Sequence, residues 1–158
     1  MRKIVKHPLC EEGGVLTAYL HDFDTAYIMR GPRPGILVMP GGGYRRLVER
    51  EADPVAFEFF SAGFNTFVLE YSVAEQENAA PLGLVPLMQA SHALLTIREN
   101  AKKWNTAPDK LAVLGFSAGG HLAGACAVLW DAPELLARMD TRQGQNRPDA
   151  AVLCYPAT

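Results

Sequence analysis

Residues 111–119, Leu-Ala-Val-Leu-Gly-Phe-Ser-Ala-Gly, join an apolar run to a G-x-S-x-G pentapeptide. A short, uninterrupted apolar run is typical of a strand that is covered on both faces of a parallel sheet. Small residues follow Ser117 and permit a helix to lie close to that sheet. In such a sharp turn the serine hydroxyl projects above the sheet edge, and the flanking glycines are needed because a Cβ would collide with neighbouring backbone. We therefore predict that Ser117 is an accessible nucleophile.

A second glycine motif follows another apolar run. Ile36-Leu37-Val38-Met39 is a candidate buried strand and leads directly into Pro40-Gly41-Gly42-Gly43-Tyr44. Three consecutive glycines have a high conformational entropy in the unfolded chain, so their presence suggests a need for bare backbone. One such need is an oxyanion site, with N–H donors from Gly42 and Gly43 and from Ala118 at the positive end of the next helix. The alternative is a glycine loop without a role.

The composition is that of one soluble globular domain. The 158 residues are 49% hydrophobic and 20% charged, with a formal net charge of -2. Proteins that bind nucleic acids or anionic membranes usually carry a clustered basic face, for which this balance gives no basis. We expect a small uncharged substrate, with neither nucleic acid nor membrane as a partner.

The cysteines indicate a reducing compartment. Cys10, Cys126 and Cys154 are an odd set without a C-x-x-C pair or metal-binding spacing, so free thiols are expected rather than a disulfide framework or a zinc site. The N-terminal residues carry positive charge but lack the apolar stretch of a signal peptide, and no segment is long enough for a membrane span. These features predict a cytoplasmic protein without metal or cofactor.

Alternating elements predict an α/β fold. Short strands at residues 4–5 and 15–20 are expected to form an antiparallel hairpin at a sheet edge. Further strands are predicted at 36–39, 65–71, 111–114 and 150–155, and helices at 53–63, 87–104, after Ser117 and at 133–139. The alternation implies right-handed crossovers and a mainly parallel sheet with helices on both faces, in a single domain of residues 1–158.

Two helices have specific sequence signals. Asp53 is expected to be the N-cap of its helix because Pro54 follows at the first helical position. Apolar residues between Leu87 and Trp104 recur at spacings of three and four, which predicts one continuous helix packed on the sheet. His92 lies outside that apolar stripe and is expected at a surface or boundary position. The segment at 72–84 is predicted to be a loop that borders the site.

Four segments resemble those of a known family. They are Pro40-Gly41-Gly42-Gly43-Tyr44, Arg50-Glu51 before a helix, residues 68–73 (Val-Leu-Glu-Tyr-Ser-Val) and residues 109–123 around the nucleophile. Together they resemble the α/β-hydrolase superfamily, in particular its small esterase branch of acetyl-xylan-esterase-like and hormone-sensitive-lipase-like carboxylesterases. The resemblance runs from about Gly35 to the end of the sequence.

The resemblance implies an activity and a set of site residues. Ser117 would be the catalytic nucleophile, and Gly42, Gly43 and Ala118 would form the oxyanion hole. The implied reaction is hydrolysis of short acyl esters, often acetyl groups on sugars, through an acyl-enzyme. Tyr44 would line the acyl or sugar pocket, or would be only a packing aromatic.

The sequence departs from the family pattern at two points. Pro40 occupies the histidine position of the usual H-G-G-G arrangement, so the support of the glycine loop must differ. In that family the acid and the histidine of the triad follow the nucleophile, beyond the strand that here ends at Tyr155, and neither has a place in this sequence. The resemblance implies that His121, one helical turn after Ser117, is a structural element of that helix. Its side chain is also poorly placed to take a proton from a serine that points the other way. The sequence therefore looks like the N-terminal part of such an esterase, incomplete at the C-terminus.

Three functions remain open at this point. The first is a serine carboxylesterase that needs a further His and Asp to activate Ser117. The second is a serine peptidase of the same fold, which activity on peptide amides rather than acetyl esters would distinguish. The third is a non-catalytic or inactive module whose exposed apolar final strand, at 151–155, pairs with another chain or with a second copy.

Overall fold

The computed structural model describes residues 1–6, 8–21, 31–76, 79–140 and 144–158. The strands in these ranges are β1 (Arg2–Lys6), β2 (Val15–Leu20), β3 (Arg33–Met39), β4 (Asn65–Glu70), β5 (Thr106–Phe116) and β6 (Ala150–Cys154). The helices are α1 (Asp53–Ser61), α2 (Val85–Glu99), α3 (Ala101–Trp104), α4 (Ala118–Val128) and α5 (Pro133–Leu136), with a 3-10 turn at Glu49–Glu51.

The described strands form one sheet in the order β1-β2-β4-β3-β5-β6. The N-terminal hairpin of β1 and β2 is antiparallel, and β2 also pairs with β4 in antiparallel orientation. The other three strand pairs are parallel. This confirms the predicted α/β fold with a mainly parallel sheet.

Helices cover both faces of this sheet, as predicted. Along β3 the side chains alternate, since Leu37 and Met39 join the apolar cluster formed with α2 and α4. Ile36 and Val38 join the cluster on the opposite face, where α1 packs. An alternation of two residues is the consequence of strand geometry and explains why the central strands are apolar throughout.

The predicted helix between Leu87 and Trp104 is interrupted. α2 ends at Glu99, and Asn100 adopts φ -95 and ψ 5 before α3 begins. The Asn100 side chain donates a hydrogen bond of 2.8 Å to the Thr96 carbonyl, a local bond of the kind that competes with regular helix geometry. The apolar spacing continues across this break, so periodicity alone did not reveal it.

Several other boundaries differ from the prediction by a few residues, among them the starts of α1 and β5. Ala52 rather than Asp53 is the N-cap of α1, and no side chain caps it; Asp53 is already helical. β5 begins at Thr106, well before the predicted start at Leu111. The extension arises because Thr106 pairs with Arg33, across a register shift in the β3–β5 ladder.

The central strands bring the two glycine motifs together. β3 and β5 are parallel neighbours, so their carboxyl ends lie at the same edge of the sheet, where α/β proteins bind ligands. The glycine loop follows β3 there, and Ser117 follows β5. None of the described helices is both long and apolar enough to cross a membrane, and all three cysteines are free thiols, as expected.

Candidate active site

Ser117 occupies a sharp turn between β5 and α4, with φ 50 and ψ -116. Such a backbone conformation costs on the order of 1–3 kcal/mol in a residue with a Cβ, and it persists only where the surroundings fix it. A Cβ on Gly115 would lie 1.9 Å from the Gly119 carbonyl oxygen, and one on Gly119 would lie 2.1 Å from the Met39 oxygen. The predicted strand-to-helix turn, with glycines required by close backbone approach, is therefore present.

Backbone hydrogen bonds hold the serine in this conformation. The Ser117 N–H donates to the Cys154 carbonyl at 3.0 Å, which ties the turn to the end of β6. The Ser117 carbonyl accepts from the N–H groups of His121 at 2.9 Å and Ala157 at 3.0 Å. The side chain is half-buried, and its hydroxyl has no hydrogen-bond partner among the described residues.

The glycine loop passes directly beside this serine. A Cβ on Gly41 would lie only 3.1 Å from the Ser117 Cβ. Gly42 has φ +133, and a Cβ there would lie 2.1 Å from the Arg46 carbonyl oxygen. Gly43 has φ +64 but open space around it. The backbone fold of the loop therefore depends most strongly on Gly42.

Three backbone N–H groups around Ser117 are available as donors. Within the part of the chain that the structure describes, the N–H groups of Gly42, Gly43 and Ala118 donate to no acceptor. Ala118 is also the first residue of α4, where the helix dipole is positive. Free N–H groups at a helix N-terminus favour a negatively charged oxygen. The arrangement is therefore chemically suited to bind such an oxygen beside Ser117.

Side chains from two distant segments support the glycine loop in place of the missing histidine. The Gly41 N–H donates to Glu51 Oε2 at 2.9 Å, and the Tyr71 hydroxyl donates to the Pro40 carbonyl at 2.5 Å. Burial raises the pKa of Tyr71, which keeps this phenol in its donating form. Sequence reasoning assigned no role to either side chain, although both lie in segments that carry the family resemblance.

Glu51 also connects the loop to the end of the sheet. Its side chain is 9% exposed, and its second oxygen, Oε1, accepts a hydrogen bond of 2.9 Å from the Tyr155 hydroxyl. A buried carboxylate is stable only where hydrogen bonds compensate its desolvation. Here the two oxygens bind the loop after β3 and the residue after β6.

Tyr44 and His121 form a pair beside the glycine loop. The Tyr44 hydroxyl and His121 Nδ1 are hydrogen-bonded at 2.8 Å, and the Tyr44 carbonyl accepts from the Ala74 N–H at 2.7 Å. Burial raises the pKa of Tyr44 to about 12, so the phenol is protonated at neutral pH. The His121 imidazole is thus engaged with Tyr44, and no described hydrogen bond joins it to Ser117.

A cavity of about 480 Å³ opens beside this pair. Tyr44 and His121 line it together with Leu122 and Ala125 of α4. The described residues 79–84, in the loop before α2, complete the wall. The lining is mostly apolar, and Ser117 is adjacent to its walls rather than among them. The loop at 72–84 therefore borders the site, as predicted, with residues 77–78 outside the described ranges.

The chain is similar to known proteins over most of its length. The family model BD-FAE matches residues 23–153. Endo-1,4-beta-xylanase B of Butyrivibrio fibrisolvens is 38% identical over 89% of this chain and 21% of its own length. Acetylxylan esterase of Xylanibacter ruminicola is 29% identical over 77% of this chain and 22% of its own length.

A solved structure shows the same fold. The carboxylesterase Cest-2923 of Lactobacillus plantarum superposes with a TM-score of 0.85 at 26% identity, over 99% of this chain and 56% of that chain. The present chain thus spans about a fifth of these curated relatives and little more than half of this solved one. With the family match covering residues 23–153, the chain belongs to the BD-FAE family of α/β hydrolases.

Proposed function

We propose that the protein is a serine carboxylesterase that hydrolyses short acyl esters, chiefly acetyl esters on sugars. The observation that carries the proposal is the strained Ser117, whose hydroxyl lies beside a glycine loop and a helix N-terminus with unpaired N–H groups. The similarity to an acetylxylan esterase and to a carboxylesterase supports ester hydrolysis. The similarity to the former favours acetyl groups on sugars.

The proposed reaction proceeds through an acyl-enzyme. Ser117 Oγ attacks the ester carbonyl carbon, and the resulting oxyanion accepts hydrogen bonds from the N–H groups of Gly42, Gly43 and Ala118. Each such donor typically contributes on the order of 10²- to 10³-fold to kcat. The alcohol leaves with the proton that the serine gave up, and water then hydrolyses the acyl-enzyme.

The proposal requires a base that activates the serine. No histidine among the described residues hydrogen-bonds Ser117: His21 binds the Phe60 carbonyl, and His121 binds Tyr44. We therefore assign the activating histidine and its acid to a part of the protein other than the residues that the structure describes. Without them the serine hydroxyl would be a weak nucleophile.

Tyr44 is the proposed substrate-contacting residue. It follows the glycine loop directly and lines the apolar cavity, while its hydroxyl provides a polar group at the wall. An acyl group or a sugar face could pack against this ring.

The experiment measures serine reactivity and chain length together. The intact mass of the protein from its native source is determined before and after reaction with a fluorophosphonate, alongside Ser117→Ala and the exposed-serine control Ser61→Ala. We expect one adduct on the wild type and on Ser61→Ala, none on Ser117→Ala, and release of acetate from acetylated xylan. A native protein that never labels would contradict the proposal, and cleavage of peptide amides but not acetyl esters would identify a peptidase instead.

A second candidate function rests on β6. This strand is a sheet edge among the described strands, and Val152 and Leu153 on it are 44% and 45% exposed. An apolar edge is a template for pairing with another chain, including a second copy. A stable dimer of the native protein that dissociates in Val152→Lys and does not cleave esters would favour this binding function. A monomer that cleaves esters would exclude it.

A further inference from the structure

Three potential metal ligands lie together where the turn between β1 and β2 meets α2. The donor atoms of Cys10, Glu12 and His92 are all within 4.8 Å of one another, and the three side chains are half-buried. A thiolate, a carboxylate and an imidazole are the three kinds of side chain that bind zinc in proteins. Since Cys10 and His92 are far apart in the sequence, the cysteine spacing from which we expected no zinc site could not reveal this group.

The loop that carries two of these residues is held in a tight turn. The Cys10 N–H donates to the Gly13 carbonyl at 3.2 Å, and the Gly13 N–H donates back to the Cys10 carbonyl at 2.9 Å. Gly13 and Gly14 have φ +91 and +79, a conformation that glycine adopts without strain. The turn therefore fixes the relative positions of Cys10 and Glu12 before any ion binds.

A buried glutamine fastens this turn to the helix that carries the third residue. Gln89 of α2 is fully buried, and its Nε2 donates to the Glu12 carbonyl at 2.9 Å and to Ser72 Oγ at 2.7 Å. His92 lies three residues later in the same helix, where side chains are neighbours on the helix surface. The hydrogen bond from Gln89 to Glu12 therefore holds the helix segment that carries His92 close to the turn.

The electrostatic environment of the cluster is negative. Glu12 contributes a carboxylate to the cluster, and Glu11 precedes it in the chain. A thiol that coordinates a metal ion loses its proton because of the metal's charge.

We propose that Cys10, Glu12 and His92 bind a zinc ion through the cysteine sulfur, one carboxylate oxygen and one imidazole nitrogen, with a water molecule as the fourth ligand. On binding, the S–H bond is replaced by a sulfur–zinc bond and the proton passes to solvent. The ion joins the β1–β2 turn to α2. The site is independent of ester hydrolysis at Ser117 and remains testable if that function is disproved.

The test uses the full-length protein after removal of metals by a chelator. Cobalt(II) replaces zinc as a coloured probe, and a thiolate ligand produces a sulfur-to-cobalt charge-transfer band in the near ultraviolet. We expect one cobalt per chain, a charge-transfer band, and displacement of the cobalt by zinc. The melting temperature should rise with zinc concentration because the ion binds only the folded state.

Two variants and two matched controls locate the site. Cys10→Ser should abolish the charge-transfer band. His92→Gln should weaken zinc affinity by more than roughly 10- to 100-fold, which is the typical loss when a residue that only hydrogen-bonds a metal ligand is changed. Cys154→Ser, which removes a half-buried thiol elsewhere, and Glu11→Gln, beside the site, should retain the band. Melting curves without metal show whether each variant folds, and His92→Gln remains informative if Cys10→Ser does not.

Two results would overturn the proposal. One is a wild-type protein that gives no charge-transfer band and no zinc-dependent change in melting temperature. The other is equal zinc affinity in wild type, Cys10→Ser and His92→Gln, which would indicate adventitious surface binding only.

Discussion

Gly42 and Gly31 show how a single residue's surroundings determine its tolerance to change. Their φ angles are nearly equal, +133 and +130, so both lie in the region that favours glycine. A Cβ on Gly42 would lie 2.1 Å from the Arg46 carbonyl oxygen, whereas a Cβ on Gly31 would have no heavy atom within 4 Å. The two glycines therefore have nearly the same φ but differ in how closely other atoms pack around them.

We predict that Gly42→Ala lowers the free energy of unfolding more than Gly31→Ala does. The excess should be about 1–3 kcal/mol, because the glycine loop must move or strain to remove the collision. Urea unfolding of both variants measures this difference. The rate of fluorophosphonate labelling at Ser117 should also fall in Gly42→Ala alone. Equal losses in the two variants would mean that backbone angle, not the contact with Arg46, makes Gly42 necessary.

At the residue scale, the sequence identified the functional glycines but not the side chains that hydrogen-bond the glycine loop. The G-x-S-x-G pattern and the triple glycine each restrict backbone conformation within a few residues, so Ser117, Gly42 and Gly43 could be named from the sequence. Glu51 could not be assigned a role, because a glutamate is usually solvent-exposed. Its two hydrogen-bond partners are Gly41, ten residues earlier, and Tyr155, 104 residues later, and no local pattern predicts the second contact.

On the scale of elements, the Glu51 carboxylate joins its own turn to the glycine loop ten residues earlier and to Tyr155, which is 104 residues later. It lies in the 3-10 turn before α1 and accepts hydrogen bonds from the loop after β3 and from the residue after β6. Hydrogen bonds to a charged acceptor are about twice as strong as neutral ones. The position of the glycine loop beside Ser117 therefore depends on this carboxylate.

We predict that Glu51→Gln destabilises the protein by about 1–2 kcal/mol, since the amide retains one acceptor but turns an NH₂ group toward the other donor. Differential unfolding in urea measures the loss, and labelling of Ser117 should become slower. Glu49→Gln is the matched control, because Glu49 is an exposed glutamate of the same turn and should change stability by no more than about 0.5 kcal/mol. Equal stability of the two variants would show that the buried hydrogen bonds contribute no net stability.

The existence of the elements was predictable, and their boundaries less so. Apolar runs predicted the central strands, because a strand covered on both faces must be apolar throughout. β1 and β6 are largely exposed, and their shorter apolar segments also predicted strands. The break at Asn100 and the early start of β5 were missed. Both depend on particular hydrogen bonds or strand pairings rather than on a repeated pattern.

For the whole molecule, the pH dependence of stability includes a contribution from His21. The ring stacks on Phe60 with 3.8 Å between centroids and is hydrogen-bonded to the Phe60 carbonyl at 3.1 Å. Burial, followed by the positive charge of Arg33, lowers the pKa of His21 below its ordinary value of 6.5. The folded protein consequently disfavours the imidazolium.

We predict that folding stability falls as the pH is lowered through 6.5, because the unfolded chain then binds a proton that the folded chain excludes. The stability that the neutral His21 contributes is fully present above pH 6.5. It decreases as the pH falls and reaches its minimum below the lowered pKa of His21 in the folded state. In His21→Gln the slope of unfolding free energy against pH should be shallower in this window, as measured by urea titrations at several pH values. An unchanged slope would assign the pH dependence to other groups.

What the sequence alone determined was local: the alternation of strands and helices, the sharp turn at Ser117 and the glycine loop after β3. These follow from side-chain polarity and backbone freedom within a few residues, and they indicated the fold and the proposed nucleophile. Only the tertiary structure decided which distant groups meet, namely Glu51 with Tyr155, and Cys10 with His92. Those contacts arise because the strand order places segments far apart in the chain next to one another, and no local pattern encodes that order.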